Sequence, residues 1–239
     1  MGDDLTLPVV KPKTLTPCEE IKKQTIDNEK FKTKLDSLKT RVLTTTPNFD
    51  TLETMVNIER IDDEYVFKVS NNALTGNGYL NVQGVQTRRD VASIHNHPVN
   101  TIPIFSHMDI VSFFDSYNYV LNSRKNEYTD YLVCFNNTTY ALRMENTEAL
   151  TALFAGLDLN TEQGKEDAEN AVFEIFEEYG LKRENNPPYT QAMAEELFMN
   201  VVNDPQMGGG NGINLYRKDA DGWGKLVKNG NSIQKVPCN

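Results

Sequence analysis

The sequence predicts an α+β fold, on three observations. Short runs in the middle of the chain alternate apolar with polar residues, the two-residue period of strands. Runs on either side place apolar residues at helical spacing. Clusters rich in Asn and Gly, the chemistry of turns, separate the strand-like runs.

The elements follow in order. The first fifteen residues, with Pro8 and Pro12 and little periodicity, read as an extended lead-in. "TPCEEIKKQ" carries a helix start: Thr16, then proline at the first helical position, then acids in the first turn. "DNEKFKTKLDSLKTRVL" (27–43) places Phe31, Leu35, Leu38 and Val42 on one narrow stripe of a charged helix. "LETMVNIER" (52–60) and "EYVFKVS" (64–70) alternate as strands; "NNALTGNG" is a turn; "YLNVQGV" (79–85) and "DVASIHNH" (90–97) are further strands. "SHMDIVSFFDSYNYVL" is amphipathic, with Ile110, Phe113, Phe114, Tyr117 and Leu121 on one side. "YLVCFNNTTYALRM" (131–144) is a hairpin about Asn136-Asn137. "NTEALTALFAG", "EDAENAVFEIFEEYGL" and "YTQAMAEELFMNVV" are helical, and "DPQMGGGNG" (204–212) reads as a flexible break. Turns at Asp221-Gly222 and Asn229-Gly230 make the last segment a small β-meander. The chain thus divides into helical lead-in (1–47), α+β core (48–145) and accessory region (146–239).

Bulk properties exclude several classes. With 239 residues, 38% hydrophobic and 24% charged, the chain has the composition of a globular protein large enough to bury a core. No run approaches the roughly 18 apolar residues of a membrane span. "MGDDLTLPVV" lacks the basic-then-apolar order of a signal peptide. A net charge of −10 argues against nucleic acid, whose phosphates need a basic footprint. The three cysteines form no CxxC zinc pattern. Cys134, in "YLVCF", reads as a buried small hydrophobe; Cys18 and Cys238 are either two free thiols or one bridge between the ends of the chain. Trp223 is expected to pack on or staple the terminal hairpin.

Two of the three histidines stand in "SIHNHP". On a strand, His95 and His97 point to the same face, where neutral imidazoles can share one metal. Pro98 ends the strand, and Ser106 is a good N-cap for the next helix, with Asp109 at its third position. The capping pattern accounts for Ser106 and Asp109 without a metal, but it leaves the histidine pair unexplained. Two histidines, one carboxylate and an open position are the donors of a catalytic zinc site. His107 is a rival ligand on the first turn of that helix.

"HNHPVNTIPIFSHMD" resembles the JAMM/MPN+ metallopeptidase motif: H-x-H-P, a short spacer, then S-x-x-D, with a glutamate upstream. "HNHP" is most similar to the bacterial RadC-like branch. The resemblance covers about 48–145, and its spacer, 98–105, is one residue longer than the usual pattern. It implies a JAMM-like (cytidine-deaminase-like) mixed sheet packed by helices, with an N-terminal helical lead-in and a C-terminal helical and β-hairpin extension. It also implies that His95, His97 and Asp109 hold Zn²⁺ with water in the fourth position, and that Ser106 hydrogen-bonds the developing oxyanion. The family's glutamate moves a proton from water to the leaving amine. Glu53, near the start of a strand, fits that placement best; Glu59 has the same parity and is the alternative, and Glu64 opens the next strand.

The resulting expectation is a zinc-dependent hydrolase of peptide or isopeptide bonds acting on a protein or peptide. The alternative is a catalytically idle JAMM-like binding module, and a DNA-associated RadC relative is disfavoured by the charge. An HNH nuclease is excluded, because those enzymes draw their histidines from separate elements. The bacterial character of the motif suggests a cytoplasmic protein or a secreted or delivered one. The oligomeric state and the role of 146–239 stay open.

Overall fold

The computed structural model describes residues 14–43, 53–70, 87–97, 101–182, 188–230 and 232–238. The turn at 71–78, the strand expected at 79–85 and the lead-in through residue 13 lie outside the described residues.

Among the described residues, eight strands form one mixed sheet flanked by six α-helices. The strands are β1 (Met55–Ile61), β2 (Glu64–Ser70), β3 (Asp90–His97), β4 (Thr129–Cys134), β5 (Thr139–Met144), β6 (Ile213–Asp219), β7 (Gly222–Asn229) and β8 (Ser232–Pro237). Their order is β2-β1-β3-β4-β5-β6-β7-β8. Every pairing is antiparallel except β3 with β4, whose parallel register (Ser93 beside Asp130, His95 beside Leu132) needs a crossover. That crossover carries α3 (His107–Tyr119). The other helices are α1 (Pro17–Thr25), α2 (Glu29–Leu43), α4 (Glu148–Leu153), α5 (Glu162–Glu178) and α6 (Gln191–Val202).

The alternation read from the sequence sorts the core into two clusters. On β4, Tyr131 and Val133 join Phe31, Leu35 and Ile21 from α1 and α2. Leu132 and Cys134 join Phe113, Phe176 and Phe198 from α3, α5 and α6. On β3, Ala92 and Ile94 belong to the α1–α2 side, so His95 and His97 emerge on the side of α3. Phe113 and Phe114 of α3 are buried as its stripe requires, and Leu121 lies past the helix end at 36% exposure.

The meander continues the sheet across residue 145, since β6 pairs along β5 from Thr139–Lys218 to Met144–Ile213. Its two turns occur where glycine was read, with Gly222 and Gly230 at φ of 96° and 59°. The segment 204–212 is a correction to the flexible break. A short 3-10 helix spans Pro205–Met207, and Gly208, Gly209 and Gly210 all take positive φ. That conformation, open to glycine, lets Gly210 N–H donate to Val202 C=O and Gly209 N–H to Asp204 C=O, both at 2.9 Å.

Cys18 and Cys238 are bridged, joining α1 to the residue after β8. Cys134 is free and buried. Trp223 is buried on β7 of the terminal meander. Its ring meets Tyr131 edge-on, and its indole N–H donates to Thr25 Oγ1 at 2.8 Å, so it fastens the end of α1 to β7. Among the described residues no helix is long and apolar enough to cross a membrane.

Candidate metal centre

β3 is buried at every position, between β1 and the parallel β4. Strand parity places the His95 and His97 rings side by side, with centroids 5.3 Å apart. The chain then folds back over them. Ile104 and Phe105 are fully buried, and Phe105 meets the His95 ring edge-on at 5.7 Å. The Ile102 carbonyl lies 2.8 Å from His97 Nδ1, so an N–H there leaves Nε2 as the free donor atom. The longer spacer therefore still delivers α3 to the histidines.

α3 opens with a reciprocal capping box. Asp109 N–H donates to Ser106 Oγ at 3.3 Å, and Ser106 N–H donates to Asp109 Oδ2 at 2.6 Å. The box turns the Asp109 carboxylate toward the strand. Oδ1 lies 3.3 Å from His95 Nε2, and Oδ2 lies 3.3 Å from His97 Nε2. One donor atom from each of His95, His97 and Asp109 falls within 4.8 Å of the other two, so the group could hold a metal ion. The histidines are only 5% and 3% exposed.

Electrostatics favour positive charge between these residues. Burial pushes the His95 and His97 pKa values down, but the neighbouring carboxylates outweigh it. Asp130 and Asp109 raise His95 well above the usual imidazole value, and chiefly Asp109 raises His97. Burial pushes Asp109 up, yet the two imidazoles hold it well below the usual carboxylate range. Carboxylates that favour a proton on each ring also favour a cation shared by both.

Glu53, two residues before β1, reaches the same place. The antiparallel register sets Met55 opposite His95, and continuing it by two residues puts Glu53 across from His97. Its Oε1 is 3.9 Å from His97 Nε2. Burial raises the Glu53 pKa, with Asp109 adding to the rise and the histidines opposing it. Glu59 lies at the far end of β1, opposite Asp90, bound to Lys68 at 2.8 Å and accepting from the Thr87 hydroxyl. It is not brought to the histidines: parity gives it the right face, but six residues of strand carry it to the wrong end. Glu64 is exposed and pairs with Lys30. His107 packs its ring on Phe173 at 4.9 Å, facing α5 instead of the other histidines.

One residue of this centre was missed by sequence reading. Asp130, 4% exposed on β4, places Oδ1 3.4 Å from His95 Nδ1 and accepts from the Ser93 hydroxyl at 2.8 Å. Its only advance signal was a charged residue inside an apolar strand, "TDYLVC".

Compared with family models, curated proteins and solved structures, the chain gives no match.

Proposed function

We propose that this chain is a zinc-dependent hydrolase of peptide or isopeptide bonds, and that His95, His97 and Asp109 hold the metal. The observation that carries the reading is the Glu53 carboxylate, 3.9 Å from a histidine donor atom, on the same side as the three-residue group. A bound zinc ion would polarise the scissile carbonyl and lower the pKa of water at the site toward neutrality.

The chain's own groups then divide the work. Glu53 accepts a proton as water oxygen adds to the carbonyl carbon. It returns that proton to the amine nitrogen as the C–N bond breaks. A carboxyl with a raised pKa suits both halves of that exchange. Ser106 Oγ receives the Asp109 amide and keeps its own O–H to donate to the carbonyl oxygen as negative charge grows there. Phe105 and Ile104 keep the inner side of the site dry, which strengthens these interactions. The similarity of "HNHPVNTIPIFSHMD" to the JAMM/MPN+ motif supports the same assignment, with a RadC-like, cytidine-deaminase-like architecture as part of the proposal.

Metal analysis of protein purified without chelator tests the reading directly. About one zinc per chain is expected, as one three-donor site requires, with loss of metal in His97→Ala. A metal-free wild-type protein would sink the assignment. Zinc binding without hydrolysis of any short peptide or ubiquitin-like fusion, across a broad panel, would favour the idle binding module.

A further inference from the structure

We propose that Asp130 is a positioning residue for the metal centre, holding His95 through Nδ1 so that Nε2 is presented as a ligand. The inference rests on the zinc reading above and adds a residue to it.

The two histidines are held unequally from behind. His97 Nδ1 meets the neutral carbonyl of Ile102, on the segment that folds back over β3. His95 Nδ1 faces a carboxylate, Asp130 Oδ1, at 3.4 Å. That carboxylate stands on the neighbouring parallel strand, in register with Ser93. A carboxylate behind a metal-bound imidazole fixes its tautomer and raises its basicity more than a carbonyl does.

Asp130 is itself held. The Ser93 hydroxyl donates to its Oδ1 at 2.8 Å, and Ser93 Oγ lies 3.1 Å from the Tyr128 hydroxyl. With the Ser93 proton committed to Asp130, the Tyr128 proton is directed to Ser93. A chain of donors therefore runs Tyr128 to Ser93 to Asp130, and His95 Nδ1 lies 3.4 Å from the same carboxylate oxygen. Ser93, Tyr128 and Asp130 are 1%, 2% and 4% exposed, so water does not compete for these bonds. A buried carboxylate in a central strand needs a compensating partner, and the imidazole supplies it. Asp130 also adds a second negative charge beside that of Asp109, which offsets the charge of a divalent ion shared by the rings.

Zinc affinity measured by competition with a chromophoric chelator tests this, on wild type, Asp130→Asn and Ser93→Ala. Asp130→Asn keeps the shape of the side chain and removes its charge. We expect zinc affinity about 10- to 100-fold weaker, the range seen when such a partner is lost. We also expect an altered visible spectrum of the Co²⁺-loaded protein, which a merely structural role would not produce. Ser93→Ala should weaken zinc in the same direction but less. Zinc affinity and Co²⁺ spectrum equal to wild type in Asp130→Asn would overturn the proposal. If Asp130→Asn does not fold, an unchanged affinity in Ser93→Ala overturns it instead. A wild type that binds no zinc removes the underlying reading, an outcome distinct from a variant that binds as well as wild type.

Discussion

Asn96 stands between His95 and His97 and, by strand alternation, aims its amide at the opposite face. There its Oδ1 accepts the Thr54 N–H at 2.8 Å and pins the backbone beside Glu53. The carboxylate proposed as acid–base is thus placed by the residue between the two histidines. Changing Glu53 to Gln should leave zinc content intact and lower hydrolysis by about 10²- to 10⁴-fold, the usual worth of a positioned acid–base group. Persistent turnover in that variant would remove Glu53 from the mechanism. Ser106→Ala should cost about 1 kcal/mol of stability through the lost cap. It should also cost about 10²- to 10³-fold in turnover if the hydroxyl faces the oxyanion; unfolding curves and kinetics separate the two effects. His95, His97, Ser106 and Asp109 were legible because parity and capping are local rules. Asp130 was not, because its meaning comes from β3 across a parallel pairing, which no local pattern encodes.

Among the elements, the β1–β2 pair shows a residue whose parity was right and whose position was wrong. Glu59 sits opposite Val66, so Lys68 is its diagonal neighbour and bonds it at 2.8 Å. Burial raises the Glu59 pKa, but the Lys68 and Thr87 hydrogen bonds outweigh it and hold the carboxyl below its ordinary value of 4.5. A depressed folded pKa stabilises the fold fully above the ordinary value, and that contribution disappears as pH falls through the lowered one. Glu59→Gln should therefore destabilise near neutrality, and its deficit should shrink as the pH drops below about 4. A deficit in unfolding free energy that is constant from pH 7 to pH 3 would contradict this. Strand and helix existence was legible here, as periodicity is an element-scale signal. The hydrogen-bonded 204–212 turn was not, since three glycines in positive φ read the same as a loose linker until Gly210 N–H meets Val202 C=O at the end of α6.

At the scale of the whole molecule, the sequence divided the chain where the sheet does not. β5 ends at Met144 and β6 begins at Ile213, yet they pair along the whole of β5. Pairing partners separated by three helices leave no trace in the sequence of either strand. The same scale decides the open question of Cys18 and Cys238, whose bridge spans 220 residues. In the chain-entropy view, closing so long a loop stabilises the fold by about 5 kcal/mol at most. Reduction, or Cys18→Ser, should lower the melting temperature by several degrees, read by calorimetry with and without reductant. An unchanged melting temperature would mean that Trp223 and the α1 packing hold that corner without the bridge. The bridge also makes the backbone between the two cysteines a closed ring. A protease that cuts it once, for instance at the exposed turn around Gly180 after α5, opens the ring without releasing a piece. Such a nicked molecule migrates as a single species on a denaturing gel until reductant is added, and as two fragments afterwards.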